Sequence, residues 1–389
     1  MSKINNLIKE LCPNGVENVS LGSLMNRIKE KNYDDSGIEI VYSVTKEKGI
    51  VKSDDLHDFN VYSSDLSNYN ILRKDQYAYN PARLNIGSIA RLKSDEVGLV
   101  SPMYIVFELD QNKIGFEYFE HLLFSEKVFN DMCSFVEQGA RFRFDYKNWD
   151  KVIIDLPPLN VQKEIVKILN KFKDLEYELQ LELDARKSQY EFWRGQMFKH
   201  KGNSKISDLF KRVKGTPITA GKMKEIEEPD GEIRIFAGGK TVVNANLEDI
   251  PKANIISYPC VIVQSRGLID FVYYDKPFTF KNEMWAYTCD NQVTVKYLYY
   301  YLKNNINYFR EIGTQMGSMP QISLPVTEKF EIYLPSLEEQ KKVVNILDKF
   351  DALVNDITVG LPAEIELRRK QYEYYRNKLL SFEELSVSE

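Results

Sequence analysis

Apolar residues recur over residues 159–198 at the spacing of a helix that packs along another helix. After "LPPL" (156–159) they advance by three and four residues in turn, through Ile165, Ile168, Phe172, Leu175 and Leu179. This rhythm is a heptad seam, and a four-residue slip at Leu183 is a stutter that locally unwinds a supercoil. The pattern predicts one helix over 159–198, which would span roughly 60 Å at about 1.5 Å per residue.

A second seam of the same kind lies near the end of the chain, at Val343, Ile346, Phe350, Leu353 and Ile357. The tripeptide "GLP" (360–362) then interrupts the helix, because proline lacks an amide donor and glycine is a poor helix former. The apolar rhythm restarts at Ile365. The sequence therefore predicts a second helical block with a break.

The two helical blocks are copies of each other. Residues 156–172 read "LPPLNVQKEIVKILNKF" and residues 334–350 read "LPSLEEQKKVVNILDKF". Downstream, "RKSQYEFWR" (186–194) matches "RRKQYEYYR" (368–376), where the offset grows from 178 to 182 residues. The second copy thus holds four extra residues, which would add roughly 6 Å if they were fully helical. Two similar seams are most simply buried against each other, as an antiparallel pair related by a pseudo-two-fold axis.

The segments between the helical blocks contain short β-type runs separated by turn residues. The runs are "IEIVYSV" (38–44), "MYIVFEL" (103–109), "CVIVQS" (260–265) and "DFVYYD" (270–275), and helices are expected at 116–133 and 294–311. The predicted class is α+β, with two mixed α/β domains, each with a strongly curved sheet, and two long helical regions. We place the boundaries at 1–155, 156–200, 201–333 and 334–389.

Composition and charge narrow the range of functions. The chain has 389 residues and a net charge of −5, which disfavours a protein that binds nucleic acid alone. Residues 199–224 nevertheless hold eight Lys or Arg and one Asp, either as a solvated linker or as a local basic patch. No stretch has the length and apolarity of a membrane span, and the first residues lack a signal-peptide pattern. We therefore expect a soluble, cytoplasmic protein.

The motifs of enzymes that act on DNA or nucleotides are missing or incomplete. The four cysteines show no C-x-x-C spacing, and the three histidines are scattered, so we expect no metal site and no catalytic residues. "YNPA" (79–82) lacks the second proline and the aromatic residue of the adenine methyltransferase motif N-P-P-Y. "AGGKT" (237–241) lacks the spacing of a phosphate-binding loop. These departures disfavour catalysis by this chain.

The duplicated architecture closely resembles the specificity subunit of Type I restriction–modification systems. The resemblance rests on the repeated "LPPL…Q" helix start and on "YSVTKEKGIV" (42–51), "GLVSPMYIVF" (98–107), "VIVQSRGLIDFVYY" (261–274) and "GLPAEIELRRKQYEYYRNKLLSF" (360–382). It implies two target-recognition domains, 1–155 and 201–333, and two helical spacers, 156–200 and 334–389. Such a subunit is not an enzyme: it recognises a split, asymmetric target in double-stranded DNA.

The resemblance also implies partners and cofactors. Two modification subunits carry S-adenosylmethionine and methylate adenine, and two restriction subunits driven by ATP and Mg²⁺ can join them. No cofactor is expected in this chain. Two interpretations from other classes stay open at this point, namely a helical-rod scaffold for protein interactions and a stand-alone DNA-binding protein.

Candidate contact residues come from polar and basic clusters beside glycine turns, because Arg and Lys can pair with guanine, and Asn and Gln with adenine. In the first domain the candidates are Thr45, Lys46, Lys48, Tyr79, Asn80, Arg83, Gln138, Arg141 and Arg143. In the second domain they are Lys240, Gln264, Ser265, Arg266, Lys281, Asn282, Gln315 and Ser318. For partner subunits we select the residues repeated at the start of each helical block, Gln162, Lys163, Gln340 and Lys341.

Overall fold

Two compact units make up the fold. The structure is a computed structural model that describes residues 6, 9–12, 15–33, 37–56, 62–135, 142–239, 241–250, 252–314 and 319–382. Unit 1 comprises Met1–Glu178 and Ile365–Glu389, and unit 2 comprises Leu179–Glu364. Each unit therefore combines one mixed α/β domain with helical residues from both spacers.

The first half of the chain contains the elements of one α/β domain and the first long helix. Its strands are β1 (Glu17–Ser20), β2 (Met25–Ile28), β3 (Tyr42–Thr45), β4 (Gly49–Lys52), β5 (Asn70–Leu72), β6 (Tyr77–Tyr79), β7 (Ile89–Arg91), β8 (Gly98–Val100), β9 (Ile105–Leu109) and β10 (Ile153–Leu156). Its helices are α1 (Phe116–Leu123), α2 (Glu126–Ser134) and α3 (Leu159–Met197).

The second half contains a related set. Its strands are β11 (Ser204–Lys205), β12 (Lys211–Lys214), β13 (Ile233–Phe236), β14 (Val242–Ala245), β15 (Cys260–Gln264), β16 (Asp270–Tyr274), β17 (Phe278–Phe280), β18 (Trp285–Thr288) and β19 (Glu331–Ile332). Its helices are α4 (Ile206–Leu209), α5 (Ala220–Glu225), α6 (Gln292–Asn304), α7 (Ile306–Thr314), α8 (Leu324–Glu328), α9 (Leu337–Asn355) and α10 (Leu361–Ser381).

The predicted long helix is confirmed to within one residue, since α3 follows Pro158 and ends at Met197. The run 260–265 forms β15 and the run 270–275 forms β16, while the run 38–44 forms a strand only from Tyr42 onwards. The helix expected over 116–133 is divided in two, because Ser125 adopts an extended backbone and starts α2 as its N-cap. The predicted α+β class is correct.

The four-stranded sheets of the two units share one topology. Unit 1 has the strand order β2-β9-β6-β7 and unit 2 has the order β12-β18-β15-β16, with antiparallel neighbours throughout. In each unit a short antiparallel pair, β1-β10 or β11-β19, joins the start of the domain to the strand that precedes the spacer helix. The repeat therefore extends beyond the helical blocks to the four-stranded sheet and the short strand pair of each α/β domain.

Aromatic residues form the core of unit 1, and both chain segments of the unit contribute to it. Tyr77, Phe107 and Trp149 are fully buried there, and Tyr77 stacks on Phe107 with 5.2 Å between ring centroids. Leu379 and Leu380 of α10 belong to the same cluster, although more than 200 residues separate them from Trp149. Unit 2 has an equivalent core around Leu298 and Leu347, which Tyr190 and Phe198 from the end of α3 and its C-terminal flank complete.

Within unit 1, the first half of α3 packs antiparallel against α10. Phe172 stacks on Tyr375 at 5.2 Å, and the Arg369 guanidinium donates to the Glu176 carboxylate at 3.0 Å, so the contact register runs in opposite directions along the two helices. The predicted antiparallel pairing of the seams is thus found between the start of one spacer and the end of the other. Ile165 and Leu169 of α3 are buried in the same core cluster as Leu379 and Leu380 of α10, and this burial stabilises the unit.

His121 of α1 ties the domain of unit 1 to both of these helices. Its Nε2 lies 2.9 Å from the Asn170 amide oxygen, and the Tyr372 hydroxyl lies 2.8 Å from its Nδ1. Asn170 donates to the Glu117 carboxylate through its amide nitrogen, so its oxygen must accept, and Nε2 carries the proton. Burial and the positive charge of Lys173 lower the pKa of His121 to about 4.

The second helical block is divided, as predicted, between α9 and α10. α9 ends at Asn355, and the Asp356 carboxylate accepts hydrogen bonds from the backbone amide of Thr358 at 2.7 Å and from its hydroxyl at 2.6 Å. The segment 356–360 is therefore a turn, so the four extra residues do not add about 6 Å of continuous helix, and the interruption predicted at 360–362 is found next to this turn. Among the described residues, no helix is long and apolar enough to cross a membrane.

Candidate nucleic-acid interface

A groove on unit 1 concentrates basic side chains. It encloses about 830 Å³, and we call it the basic groove. Its charged lining consists of five basic residues and one acid, namely Arg27, Lys29, Lys31, Arg143, Lys147 and Asp145. The amides of Asn70 and Asn80 and the exposed side chains of Tyr33 and Met103 complete the surface. A positive groove with amide and apolar groups is the chemistry that binds a nucleic-acid backbone and base edges.

Strand β2 and the residues after it supply one wall of the basic groove. Arg27, Lys29 and Lys31 alternate along an extended segment, so their side chains point to the same side. The Arg27 guanidinium lies over the Tyr146 ring, 5.6 Å from its centroid. Lys31 donates to the Asn68 carbonyl at 2.8 Å, and its partial burial lowers its pKa. The alternation is visible in the sequence, but these three residues were not among the predicted contacts.

The end of β6 supplies a second wall, and it includes two predicted segments. The Asn80 side-chain oxygen accepts a hydrogen bond from the Ala82 amide at 3.0 Å, which closes a turn. The Phe144 amide donates to the Pro81 carbonyl at 2.9 Å, so the segment that carries Arg143 lies beside the segment that carries Asn80. Two candidates that are 63 residues apart in sequence therefore line one groove.

Tyr79 does not reach this surface. Its ring is fully buried in the core, and its hydroxyl donates to the Phe144 carbonyl at 3.3 Å. Tyr79 exposes no surface to a base or a phosphate, whereas Asn80 and Gln264 keep 7% and 6% exposure at the strand ends, so the selection of Tyr79 as a DNA contact was wrong. Arg83 is exposed but lies outside the basic groove, and Arg143 forms an exposed ion pair with Asp145 at 3.0 Å.

Thr45, Lys46 and Lys48 lie elsewhere on unit 1, at the turn between β3 and β4. Thr45 shapes this turn, because its hydroxyl donates to the Gly49 carbonyl at 3.2 Å and accepts from the Lys48 amide at 3.0 Å. Lys46 and Lys48 line a second groove of about 520 Å³ together with Arg91. The predicted candidates of unit 1 thus divide between two grooves, while Gln138 and Arg141 lie outside the described residues.

In unit 2 the structure brings separate predicted segments together. The Gly239 amide donates to the Arg266 carbonyl at 3.1 Å, and the Ile322 amide donates to the Ser265 carbonyl at 2.9 Å. Gly267 adopts φ +75°, which favours glycine, and its amide donates to the Pro320 carbonyl at 2.8 Å. The loops around 239, 264–267 and 320–322 therefore form one surface, which we call the polar cluster.

Side-chain contacts organise the polar cluster. The Arg266 guanidinium donates twice to the Gln321 side-chain oxygen, at 3.3 and 3.1 Å, and Lys281 forms an ion pair with Glu283 at 2.7 Å. Ser265 donates to the Glu283 carbonyl at 3.3 Å. Gln264 is buried and Asn282 is exposed. Gln321 was not among the predicted contacts, and Lys240, Gln315 and Ser318 lie outside the described residues.

The four residues selected for partner contacts divide into two kinds. Gln162 is buried, and its amide nitrogen donates to the carbonyls of Lys113 and Pro157, both at 2.8 Å. Gln340 is equally buried, and it donates to the Pro335 carbonyl at 2.8 Å. Both glutamines hold the start of a spacer helix to its own domain, which argues against a partner contact. Lys163 and Lys341 are exposed.

The described residues contain no group of three or more His, Cys, Asp or Glu side chains that could hold a metal ion. Burial raises the pKa of the Cys260 thiol to about 12, so this cysteine is protonated at neutral pH.

The chain matches a family model for the Type I restriction modification DNA specificity domain twice, over residues 13–185 and 199–367. These matches extend over most of the chain and follow the repeat in the fold. The chain therefore belongs to the family of Type I restriction–modification specificity subunits and contains two copies of the specificity domain.

Among individual proteins, it is similar to the specificity subunit of the Type I restriction enzyme EcoR124I/EcoR124II of Escherichia coli. The two are 31% identical over 309 residues, which cover 72% of this chain and 74% of that subunit. Among solved structures, it shares its fold with a chain from work on complex assembly and conformational transition of the type I R-M system. That match has a TM-score of 0.65 at 13% identity and covers 95% of this chain and 98% of the other.

A crystal structure of the Type I restriction-modification S subunit from M. genitalium has the same fold. It matches with a TM-score of 0.53 at 14% identity, over 94% of this chain and 97% of the other.

Proposed function

We propose that this chain selects the DNA target of a Type I restriction–modification complex and that each unit recognises one half of a split target. The observation that carries the proposal is the presence of two DNA specificity domains in one chain. Both have the same strand order around different surface residues. Two DNA specificity domains with the same strand order and different surface residues favour recognition of two unequal half-sites on one duplex.

The registers of the two sheets support this division. Tyr77 pairs with Phe107 in unit 1, and Val261 pairs with Tyr287 in unit 2. Asn80 lies three residues after Tyr77, and Gln264 lies three residues after Val261. The two amides therefore occupy equivalent ends of the central strands β6 and β15. The residues that follow are Pro-Ala in one unit and Ser-Arg in the other. An amide suits adenine in both cases, whereas the flanking groups offer different contacts to neighbouring bases.

The spacer helices favour two copies of one modification subunit as partners. Arg186 donates to the Gln189 side chain at 3.0 Å on α3, and Arg368 donates to the Gln371 side chain at 3.0 Å on α10. Three residues beyond each glutamine stand the aromatic rings of Phe192 and Tyr374, each 60% exposed. A similar arrangement of arginine, glutamine and an exposed aromatic ring that occurs twice is what two identical partners require.

In this proposal catalysis belongs to the partners. Modification subunits would supply S-adenosylmethionine and methylate adenine, and restriction subunits would supply ATP- and Mg²⁺-dependent chemistry. This chain contributes binding and placement only. A scaffold without a DNA role would leave the basic groove and the polar cluster without a ligand.

The proposal is tested by mapping methylated adenines across the host genome, with and without the gene for this chain. We expect a split, asymmetric motif whose methylation disappears on deletion and returns on complementation. Unchanged methylation after deletion, or the loss of a continuous motif, would contradict the proposal.

A further inference from the structure

We propose that the edge strands β2 and β12 bind DNA phosphates through residues that the repeat has kept, Arg27 and Lys29 in unit 1 and Arg212 and Lys214 in unit 2. The bases are read from the loops at the ends of the central strands, where the units differ. This inference rests on the proposed function. It assigns some DNA contacts to positioning the duplex and others to reading its sequence.

The four basic residues occupy equivalent places in the two sheets. Arg27 pairs with Phe107, which in turn pairs with Tyr77 on the central strand. Arg212 pairs with Tyr287, which in turn pairs with Val261. Lys29 and Lys214 lie two residues further along the same edge and therefore point to the same side as the arginines.

The cores on both sides of the edge strands support the equivalence. Met25 and Phe210, two residues before the arginines, belong to the large aromatic core of each unit. The residues after the arginines, Ile28 and Val213, pack into the smaller cluster on the other face of the sheet. The two arginines therefore project from the same face at the same edge of each sheet.

No carboxylate of the described residues neutralises any of the four side chains, although Arg27 also lies over the Tyr146 ring. The edge-strand residues Arg27, Arg212 and Lys214, together with Lys29, are exposed, and within the described part of the chain none of the four forms an ion pair. Neighbouring cations do form such pairs, as Lys211 does with Asp290 at 3.3 Å. DNA phosphates can therefore bind these cations without displacing a carboxylate.

The pattern of repetition separates the two kinds of contact. The phosphate backbone is the same in every sequence, so residues that bind it can be identical in both units. Bases differ between half-sites, so residues that read them must differ. Arg-x-Lys occurs at both edges, while Asn-Pro-Ala (80–82) in one unit corresponds to Gln-Ser-Arg (264–266) in the other. Lys31 is not repeated and already donates to a carbonyl, and it is not part of the proposed phosphate contact.

The test measures DNA binding by the full chain, purified with the modification subunit from the neighbouring gene. The variants are R27Q/K29Q and R212Q/K214Q, and the duplexes carry either the mapped motif or a scrambled sequence. Each lost phosphate contact lowers the slope of log Kd against log salt by about 0.9, so each double variant should lower it by about 1.8. Affinity should fall by the same factor on both duplexes, and the methylated motif should keep its bases.

Two control variants replace lysines that are also exposed but do not lie on the edge strands β2 and β12. Lys74 is exposed and paired with Asp95 at 2.7 Å, and Lys276 is exposed after β16, near the end of the sheet away from Gln264. K74Q and K276Q should leave the salt slope unchanged. The charge-retaining variant R27K/K29R should bind within about two-fold of wild type, because a phosphate accepts either cation, whereas bidentate pairing with guanine does not tolerate the exchange.

The outcomes separate the inference from the proposed function. An unchanged salt slope in both double variants, or an altered base preference in one half-site, would overturn the inference while wild type still binds its motif. A wild-type complex without DNA binding would overturn the proposed function as well. If the glutamine variants fail to fold, R27K/K29R still decides: a relaxed motif refutes phosphate binding, and an unchanged motif with near-wild-type affinity supports it.

Discussion

The buried glutamines at the start of each spacer give the sharpest prediction about stability. Gln162 is 1% exposed and satisfies three backbone groups, since its oxygen also accepts from the Gly115 amide at 2.9 Å. Gln340 is 4% exposed, and its oxygen accepts from the Thr294 hydroxyl at 2.7 Å. Replacement by alanine removes these hydrogen bonds, most of which are partly buried.

The expected cost follows from the number of partners left unsatisfied. A buried polar group that loses its partner costs about 1–3 kcal/mol, and water entering the space of the lost side chain recovers part of this. Q162A should therefore lower the free energy of unfolding of unit 1 by about 3 kcal/mol. Q340A should lower that of unit 2 by about 2 kcal/mol, because the Thr294 hydroxyl can rotate to another acceptor. The adjacent exposed lysines provide controls, and K163A and K341A should each change stability by less than about 0.5 kcal/mol.

Unfolding of unit 1 can be followed separately in urea. Of the three tryptophans, Trp149 lies in the core of unit 1, so its fluorescence reports on that unit in a W193F/W285F background. Hydrogen exchange at the Gly115 amide adds a local measurement, and Q162A should accelerate it. Equal stability of Q162A and K163A, combined with lost binding of the modification subunit, would refute this reasoning and restore Gln162 as a partner contact.

Two further predictions concern the same unit. The folded pKa of His121, about 4, lies below its unfolded value of about 6.5, so the unfolded state binds the proton first as pH falls. The contribution of His121 to the free energy of unfolding is therefore complete above about pH 7 and is lost towards pH 4. The change is about 3 kcal/mol. H121Q should abolish it in urea titrations at each pH. L379A, close to the end of the chain, should destabilise unit 1 by about 2–5 kcal/mol in the Trp149 assay, because it opens a cavity in that core. The exposed control Y374A should change it little, and equal effects of both would contradict the packing described.

Features that depend on local pattern were predictable from the sequence. The heptad spacing after Pro158 defined α3, and the glycine and proline at 360–362 marked the break before α10. The apolar run at 260–265 also matched β15 closely, because a continuous run of β-branched residues suits a strand buried on both faces. Each of these signals lies within a few residues of the element that it defines.

Features that depend on long-range packing were not predictable. The burial of Tyr79 and Gln162 comes from contacts with Phe144 and Lys113, and a polar residue beside a turn carries no sign of such partners. The packing of Leu379 into the core of the first domain likewise depends on a contact across most of the chain. The alternating cations from Arg27 onwards were a local signal, but only the groove distinguished them from an ordinary solvated edge strand.

Recognition of one half-site by each unit can be tested with adenine methylation maps of strains that carry N80D or Q264E. Both substitutions keep an acceptor oxygen and replace the amide donor, so adenine pairing is lost while the turn at Ala82 keeps its hydrogen bond. We expect that N80D changes base preference in one half-site, that Q264E changes it in the other, and that the gap stays constant. Changes in the same half-site, or an unaltered motif in both strains, would contradict it.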